Sequence, residues 1–288
     1  MNTKKMRYVW FLVILCIFCL TLFLARTRSK VEMRNRIYHQ WNEHFVVSKG
    51  KESYVRTTND SNQTVVLSEA QSYGMLITVA AAKKGQAQQA DFDRLYQYYL
   101  NHRLEGTQLM SWKQTIRNGK AKDEDHNATD GDLYIAYALL KAAQQWPKQA
   151  KDYQAQAKAI LEDILAHNYN EETGVLTVGN WANQDSEFYH LMRTSDTLPA
   201  QFQIFYEVTK DSKWLDIKEK MLQQLQTISS QTKTGLLPDF IWVDEQGTRV
   251  ADPKTIESKY DGAYSYNACR LPYNLVQSKD ATSQKLVK

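Results

Sequence analysis

The sequence predicts an all-α domain in which inner and outer helices alternate around a toroid, preceded by an apolar N-terminal segment. The 288 residues include only five Pro and eleven Gly, and few stretches alternate between apolar and polar residues. Helical periodicity of the apolar residues therefore dominates. Two kinds of helix also alternate along the chain, and the pair recurs roughly every 60 residues, as in a repeated helical hairpin.

Residues 1–30 are predicted to be a signal anchor that crosses a membrane once. Basic residues precede an uninterrupted apolar or neutral run over residues 8–25, whose 18 residues suit the ~17–25 that a spanning helix needs. A cleaved secretory signal peptide is the alternative, but Arg26 follows the run where a small residue would be expected. We expect residues 31–288 to form the main domain, which lies outside the cell and is anchored, or secreted if the segment is cleaved.

The charge balance of the main domain argues against a nucleic-acid partner. Of the 36 Lys and Arg, residues 1–30 hold six and no acid, which leaves 30 basic against 32 acidic residues in the rest of the chain. Nucleic-acid binding would require a basic surplus. Cys269 is the single cysteine outside the apolar segment, so the domain has no pair for a disulfide or a Cys-based zinc site. No metal or other cofactor is expected, and we expect a monomer.

The predicted helices fall into two groups. Inner helices begin with small polar or acidic residues and are apolar nearly all round, whereas outer helices carry many charges and one apolar stripe. The predicted inner helices span 68–84, 129–146, 196–210 and 263–278, and the outer helices 90–103, 148–167 and 212–230. A linker or first helix is expected at 31–47, with polar loops at 48–64, 104–128, 170–195 and 232–260.

The first inner helix begins with a capping-box pattern. Ser68 is the predicted N-cap, and Gln71 stands three residues later. This interpretation places Glu69 at the first helical position.

Two further inner helices are predicted to begin with an acid. Thr129 and Ser195 are their predicted N-caps, which puts Asp130 and Asp196 at the first helical positions. Acids there could simply complement the helix dipole, an effect of ~0.3–1 kcal/mol each. If the inner helices run parallel, however, the three acids converge at one end of the toroid, and a cleft there would have paired carboxyl groups.

Six sequence blocks occur in a defined order along roughly residues 35–280. They are SEAQSYGM at 68–75, LMSWK at 109–113, ATDGDLYIAYALLKAAQQW at 128–146, RTSD at 193–196, GLLPDF at 235–240 and YSYNACRLP at 264–272. In this order the blocks resemble those of glycoside hydrolase family 8, which includes endoglucanases, lichenases and chitosanases. The resemblance implies an (α/α)6 barrel that hydrolyses β-linked polysaccharides such as β-glucan, xylan or chitosan with inversion at the anomeric carbon.

The resemblance implies that Glu69 is the general acid and that Asp130 holds the sugar at the cleavage point. Inversion needs a protonated carboxyl at the leaving oxygen and an ionised carboxyl that activates water, ~6.5–9.5 Å apart. A helix N-terminus lowers the pKa of Glu69, so desolvation and the neighbouring Asp130 must outweigh it if the acid is to keep its proton.

The general base is the open question. One branch of the family has an Asp where this chain has Asn267, and an amide cannot accept a proton. Another branch has a Glu shortly before the YNACR-like block, which points to Glu257. Asp261 and Asp239 are lesser candidates for the base, and a loss of turnover is the alternative.

Several residues are candidates for substrate binding. Trp112 and Trp181 are candidate stacking platforms for sugar rings, although either could instead pack into a loop or core. Arg193 and Arg270 are candidates to hold carboxylates or sugar hydroxyls, and Arg270 could equally be a structural partner of an acid at a helix mouth. The remaining candidates for sugar contacts are Tyr73, Asp196 and Asn267.

The chain ends sixteen residues after Pro272, whereas the resemblance implies a longer C-terminal part. We therefore expect a toroid that is incomplete there and exposes apolar inner-helix faces. The leading hypothesis is a membrane-anchored inverting endo-glycosidase acting on an extracellular β-glycan, including an exopolysaccharide of the cell itself. The alternative is a catalytically impaired relative that binds carbohydrate without turnover.

Overall fold

The computed structural model describes residues 3–57 and 63–287. Most of these residues lie in helices. In chain order the helices are α1 Thr3–Phe45, α2 Ser68–Ala82, α3 Gln89–Asn101, α4 Thr129–Gln145, α5 Ala150–His167, α6 Pro199–Thr209, α7 Lys213–Gln231, α8 Leu271–Val276 and α9 Ala281–Val287. Part of the predicted loop 48–64, residues 58–62, lies outside the described residues.

Short antiparallel strands occupy the segments that the sequence predicts as loops. The strands are β1 Val46–Lys49, β2 Glu52–Val55, β3 Thr64–Leu67, β4 Lys113–Arg117, β5 Lys120–Asp123, β6 Tyr169–Asn170, β7 Val175–Leu176, β8 Leu191–Arg193, β9 Phe240–Asp244 and β10 Gly247–Val250. They form the sheets β1-β2, β3-β4-β5, β6-β7 and β8-β9-β10. Strands of two to five residues are too short to show an alternating pattern, so the loop prediction is wrong for these segments.

The toroid of alternating helices is confirmed. The inner helices are α2, α4, α6 and the short α8, and each is followed by its outer partner, α3, α5, α7 or α9. Helix α4 is buried along nearly its whole length, whereas α5 and α7 bury one apolar stripe and expose the opposite face. Their apolar stripes pack against the inner helices in one continuous core. This packing sets the positions of the N-terminal ends of the inner helices, which we call their mouths.

The predicted capping box at the start of α2 is wrong. Leu67 is the N-cap, without a side-chain cap, and Ser68 is the first helical residue. The Gln71 amide instead accepts from Val55 N at 2.9 Å and donates to the carbonyl oxygens of Ser53 and Leu95 at 3.0 and 2.9 Å. A wholly buried amide must satisfy its hydrogen bonds, and strand β2 and helix α3 provide the partners.

The predicted N-caps of the other two inner helices are also wrong. Ala128 precedes α4, and the Thr129 hydroxyl donates to the carbonyl oxygen of Thr177 at 2.6 Å. Asp196 ends a 3₁₀ turn, and α6 begins three residues later at Pro199. Proline suits the first turn of a helix because it has no N–H to leave unsatisfied, so it sets the start of α6.

The predicted inner helix at 263–278 is reduced to the six residues of α8. Turns precede it because Asp239 accepts hydrogen bonds from the backbone N–H groups of Ser265 and Ala268 at 3.0 and 2.8 Å. Helices α2, α4, α6 and α8 border an apolar groove of about 450 Å³. The exposed inner-helix surface that the sequence predicts is present here, where Ile77 and Tyr273 are 36% and 68% exposed.

Helix α1 continues without a break from the apolar segment to the domain. Residues 31–47, predicted as a linker or first helix, form its C-terminal part and the start of β1. Its residues Met6–Phe45 are long enough and apolar enough to include a membrane span, and the apolar part is wholly exposed. The last turns are docked, because Tyr38 and Trp41 pack on Ala81 and Ala87.

Candidate active site

A cleft of about 680 Å³ opens at the mouths of the inner helices. Eight of the catalytic and substrate-binding candidates from the sequence line it: Glu69, Trp112, Asp130, Trp181, Arg193, Glu257, Asn267 and Arg270. They come from α2, the residue before β4, the start of α4, the segment between β7 and β8, the end of β8 and the turns before α8. The fold therefore brings together side chains that lie up to two hundred residues apart in the sequence, as with Arg270 and Glu69.

The N-termini of α2 and α4 touch at the floor of the cleft. Gly131 follows Asp130, and a Cβ atom at this position would collide with Ser68 Oγ. The absence of a side chain thus lets the two helix mouths approach closely. As a result, Glu69 and Asp130, each the second residue of its helix, reach the same guanidinium group.

Arg270 is that guanidinium, and it joins four elements of the cleft. Its Nη1 donates to Glu69 and, at 3.0 Å, to Asp130 Oδ2. Its Nη2 donates to Ser195 Oγ at 2.8 Å and to Asn267 Oδ1 at 2.6 Å. All of these contacts use the planar fork that distinguishes Arg from Lys. Arg270 is thus a partner of the helix-mouth acids.

Arg193 is the second cation of the cleft. Its Nη2 donates to Glu257 Oε1 at 2.9 Å, and its Nη1 lies 3.4 Å from Asp130 Oδ1. Asp130 therefore lies between two guanidinium groups. Its side chain is only 7% exposed, so both charge partners act through a poorly solvated medium.

Glu69 and Asp130 differ in their affinity for a proton. Burial raises the pKa of Glu69, the negative charge of Asp130 raises it further, and Arg270 opposes both. Burial also acts to raise the pKa of Asp130, but Arg193 and Arg270 together outweigh it and lower that pKa below its ordinary value. A proton in this pair is therefore held by Glu69, which is the arrangement a general acid requires.

Glu257 lines the cleft from the turn-rich segment between β10 and α8. Its side chain is 42% exposed, and Oε2 accepts a hydrogen bond from Asn267 Nδ2 at 3.0 Å. The lesser base candidates, Asp261 and Asp239, are only 1% and 3% exposed and do not line the cleft. Both carboxyl groups accept hydrogen bonds from backbone N–H groups instead.

Tyr73 and Asp196 lie beneath the cleft and do not line it. The Tyr73 hydroxyl is 3.4 Å from Arg270 Nη1, and burial raises its pKa. Asp196 is 1% exposed, and burial raises its pKa to about 8 although Arg193 is 3.7 Å away. Neither side chain is among those that line the cleft, and Tyr73 lines the neighbouring apolar groove, so their direct contact with sugar stays a prediction.

Half-buried aromatic rings form one wall. Trp112 stacks against His126 with ring centroids 5.8 Å apart and planes at 25°, and Trp181 meets the edge of His126 at 6.1 Å. The backbone fixes this wall, because Trp112 O accepts from Ser68 N and Trp112 N donates to His126 O, both at 2.9 Å. Tyr266, 90% exposed, stands at the rim.

Sequence reasoning missed three of the lining residues that shape the cleft: His126, Asn127 and Tyr266. Asn127 donates to Asp132 Oδ2 at 2.8 Å, and Asp132 Oδ1 accepts from Met110 N at 2.8 Å. Asp132 is thus a buried support for the wall, and burial raises its pKa to about 8. Tyr266 lies within the YSYNACRLP block, which was the available signal for it, whereas the pairing of Asn127 with Asp132 depends on the fold.

Within residues 3–57 and 63–287, no group of three or more His, Cys, Asp or Glu side chains is arranged to hold a metal ion. The cleft acids are paired with arginines instead. A helical toroid with two carboxyl groups whose pKa values are shifted in opposite directions, and with aromatic rings in the same cleft, has the features of a glycoside hydrolase, because glycosidic bond hydrolysis uses two carboxyl groups.

Comparison with known proteins identifies the family. The family model described as "Glycosyl hydrolases family 8" matches residues 12–287, and the chain belongs to this family. A beta-glucanase of Niallia circulans is 33% identical over 242 residues, which cover 83% of this chain and 58% of the relative. An endoglucanase of Bacillus sp. (strain KSM-330) is also 33% identical, over 73% of this chain and 45% of the relative. The chain thus spans about half the length of the curated relatives it matches.

The solved structures give the same fold. The apo structure of a beta-1,3-1,4-glucanase from Paenibacillus sp. X4 superposes with a TM-score of 0.78 at 29% identity, covering 90% of this chain and 70% of that one.

Proposed function

We propose that this chain hydrolyses internal bonds of a neutral β-glucan with inversion, with Glu69 as general acid and Glu257 as general base. The observation that carries the proposal is the presence in one cleft of two carboxyl groups in different surroundings. Glu69 is the one whose pKa is raised, by burial and by Asp130. Glu257 is the more exposed of the two, at 42% against 32%.

In the proposed reaction Glu69 protonates the oxygen of the leaving sugar. Its position on the second residue of α2 would favour ionisation, but burial and the ionised Asp130 act in the opposite direction. Asp130, held ionised between Arg193 and Arg270, then stabilises the positive charge that develops at the anomeric carbon.

Glu257 takes the proton of the attacking water from the other side of the sugar. Arg193 and Asn267 each hold one of its oxygens, which fixes the carboxylate and leaves further lone pairs for water. The Asn267 amide has a defined orientation, because its Oδ1 accepts from Arg270 and its Nδ2 must then face Glu257. Asn267 thus supports the base rather than replacing it.

The charges that line the cleft favour an uncharged polymer. Both arginines of the cleft are bonded to carboxylates, so neither is free to bind a uronic acid. The three lining acids, Glu69, Asp130 and Glu257, are paired with those same arginines. With Glu69 protonated, as proposed, the two remaining carboxylates balance the two arginines, which leaves no surplus charge for the ammonium groups of chitosan. The names beta-glucanase and endoglucanase among the relatives agree with this choice.

Helix α1 supports a membrane-attached form of the enzyme. Its apolar part is exposed on all sides and is long enough to cross a bilayer. We propose that residues 1–30 anchor residues 31–288 at the outer surface of the cell, where a polymeric glucan is accessible. A signal sequence would pass the same test of length and composition, and it would give a secreted domain.

The deciding experiment uses the full chain in detergent, with mixed-linkage β-glucan, carboxymethyl cellulose, xylan and chitosan as substrates. We expect new reducing ends and a rapid fall in viscosity on the glucans, and release of the α-anomer in NMR spectra. Glu69→Gln and Glu257→Gln should each lower kcat by at least about a hundredfold, whereas Glu162→Gln on the outer helix α5 should not. A folded wild-type chain that binds glucan and produces no reducing ends would establish the binding alternative.

A further inference from the structure

The segment that carries Glu257 has little regular structure, yet its backbone is fixed at one point by a single buried side chain. Asp261 Oδ2 accepts hydrogen bonds from Ile256 N at 2.8 Å and Glu257 N at 2.9 Å, and Oδ1 accepts from Ser258 N at 2.7 Å. The Asp261 residue is 1% exposed. Three consecutive N–H groups thus converge on one carboxylate, which is a strong arrangement because the acceptor is charged.

Two further contacts show that Asp261 is joined to rigid parts of the fold. Its own carbonyl oxygen accepts from Phe240 N at 2.9 Å, which ties it to the start of β9. On the other side, Ile256 packs against the small core that contains Phe240 and Leu191. Strand β9 pairs with β8, and β8 ends at Arg193, the partner of Glu257. The sheet that contains β8 and β9 therefore positions both Glu257 and its partner Arg193.

We propose that Asp261 is the positioning residue for Glu257, acting through the three N–H groups to hold the carboxylate where it can activate water. This inference rests on the proposed function and identifies what makes that base effective. Arg193 and Asn267 orient the end of the Glu257 side chain, but neither controls its backbone. With the backbone released, the exposed side chain would sample positions outside the reaction geometry, and displacements of about 1 Å can cost roughly a hundredfold in rate.

The test uses Asp261→Asn and Asp261→Glu in the full chain. Asn keeps the shape but turns an amide donor toward at least one N–H group, and Glu keeps the charge but moves the oxygens by one methylene. The matched control is Asp280→Asn, because Asp280 Oδ1 accepts from Thr282 N at 2.9 Å and Ser283 N at 3.1 Å at the start of α9, away from the cleft. Melting temperatures verify that each variant is folded.

The substrate that isolates the base is β-cellotriosyl fluoride. Fluoride leaves without receiving a proton, so its loss does not depend on Glu69. Water adds to the anomeric carbon and gives its proton to Glu257, while the carbon–fluorine bond breaks and fluoride is released. We expect both Asp261 variants to lower kcat by about ten- to a hundredfold on the fluoride as well as on glucan, with KM changed less than about twofold. Asp280→Asn should leave both constants unchanged.

A double-mutant cycle separates a positioning role from a general structural one. If Asp261 acts through Glu257, Asp261→Asn should have almost no further effect on fluoride release in the Glu257→Gln background. Equal losses in both backgrounds, or a loss on glucan without one on the fluoride, would overturn the proposal. If the wild-type chain is active and the Glu257→Gln variant is equally active, the choice of Glu257 as base is overturned, whatever Asp261→Asn does.

Discussion

At the scale of single residues, Glu69 and Asp130 show how two carboxyl groups beside one guanidinium acquire different protonation states. Asp130 also has Arg193, whose Nη1 lies 3.4 Å away, whereas within the described part of the chain the cation bonded to Glu69 is Arg270 alone. The second cation decides which group stays ionised, since both groups are largely removed from water. The negative charge of Asp130 then helps to keep the proton on Glu69.

The pair leads to a prediction for pH dependence. Asp130→Asn removes the negative charge that raises the pKa of Glu69, so that pKa should fall. Because activity requires protonated Glu69, the alkaline limb of kcat/KM should move to lower pH, and kcat should fall as well. The measurement is a pH profile of glucan hydrolysis.

The control for this profile is Asp152→Asn. Asp152 also lies in the first turn of a helix, α5, but it is exposed and on the outer ring. Its substitution should leave both limbs in place. An alkaline limb that stays fixed or moves to higher pH in Asp130→Asn would show that Asp130 does not control the proton of Glu69.

At the same scale, the sequence identified most of the side chains that line the cleft, but it did not show which candidates are absent from its lining. The blocks around Glu69, Asp130 and Asn267 are chemical signals that a single sequence displays. Tyr73 belongs to the block of Glu69, and Asp196 belongs to the block RTSD, yet neither side chain lines the cleft. The difference depends on how the inner helices pack, which no local pattern encodes.

At the scale of elements, the mouths of α2 and α4 depend on Gly131. A Cβ atom there would collide with the side chain of Ser68 and lie 3.1 Å from its carbonyl carbon. We predict that Gly131→Ala lowers the free energy of unfolding by ~1–3 kcal/mol through overpacking, and that it lowers kcat by moving Glu69 relative to Asp130. Denaturant unfolding and glucan kinetics measure the two effects.

The rescue variant for Gly131→Ala is Ser68→Gly. The Ser68 hydroxyl is buried and has no hydrogen-bond partner among the residues that the structure describes, so its removal makes room at little cost in hydrogen bonding. The double variant should recover most of the lost stability and activity relative to Ser68→Gly alone. An additive loss in the double variant would mean that the collision is not the cause.

Helices were predictable as elements, whereas their ends were not. The periodic segments around α2, α3, α4, α5 and α7 are long enough for the pattern to emerge. The start of α6 was missed because Pro199 overrides the Ser195–Asp196 pattern, and α8 was overestimated because Asp239 holds the preceding residues in turns. For α8 the deciding contacts come from a distant part of the chain, whereas for α6 the deciding residue is local.

At the scale of the whole molecule, the notable feature is that α1 is continuous from the apolar segment to Phe45. Arg56 clamps its end by donating from Nε to the carbonyl oxygen of His44, and Arg56 N donates to the carbonyl oxygen of Phe45 at 2.9 Å. A helix rises about 1.5 Å per residue. If residues 8–25 span a bilayer, the rest of α1 would hold the domain at a short and defined distance from it.

We predict that the full chain stays in the membrane fraction after alkaline carbonate washing. Leu15→Lys places a charge near the middle of the apolar run, at a cost of about 2.5–3.5 kcal/mol for insertion, and should shift a large share of the protein to the soluble fraction. Val31→Lys is the matched control, since Val31 is also exposed but lies outside that run. Its distribution should equal that of the wild type.

Cleavage of the segment as a signal peptide can be distinguished from anchoring, because the two leave different N-termini on the protein. Mass spectrometry of the protein from the producing cells would show Met1 or the adjacent residues on an anchored chain, and a new N-terminus near Arg26 on a cleaved one. A cleaved, soluble product that still degrades glucan would contradict the anchor and leave the catalytic proposal intact. The location of the enzyme and its catalytic activity can thus be tested independently, because the apolar part of α1 and the toroid are different parts of the fold.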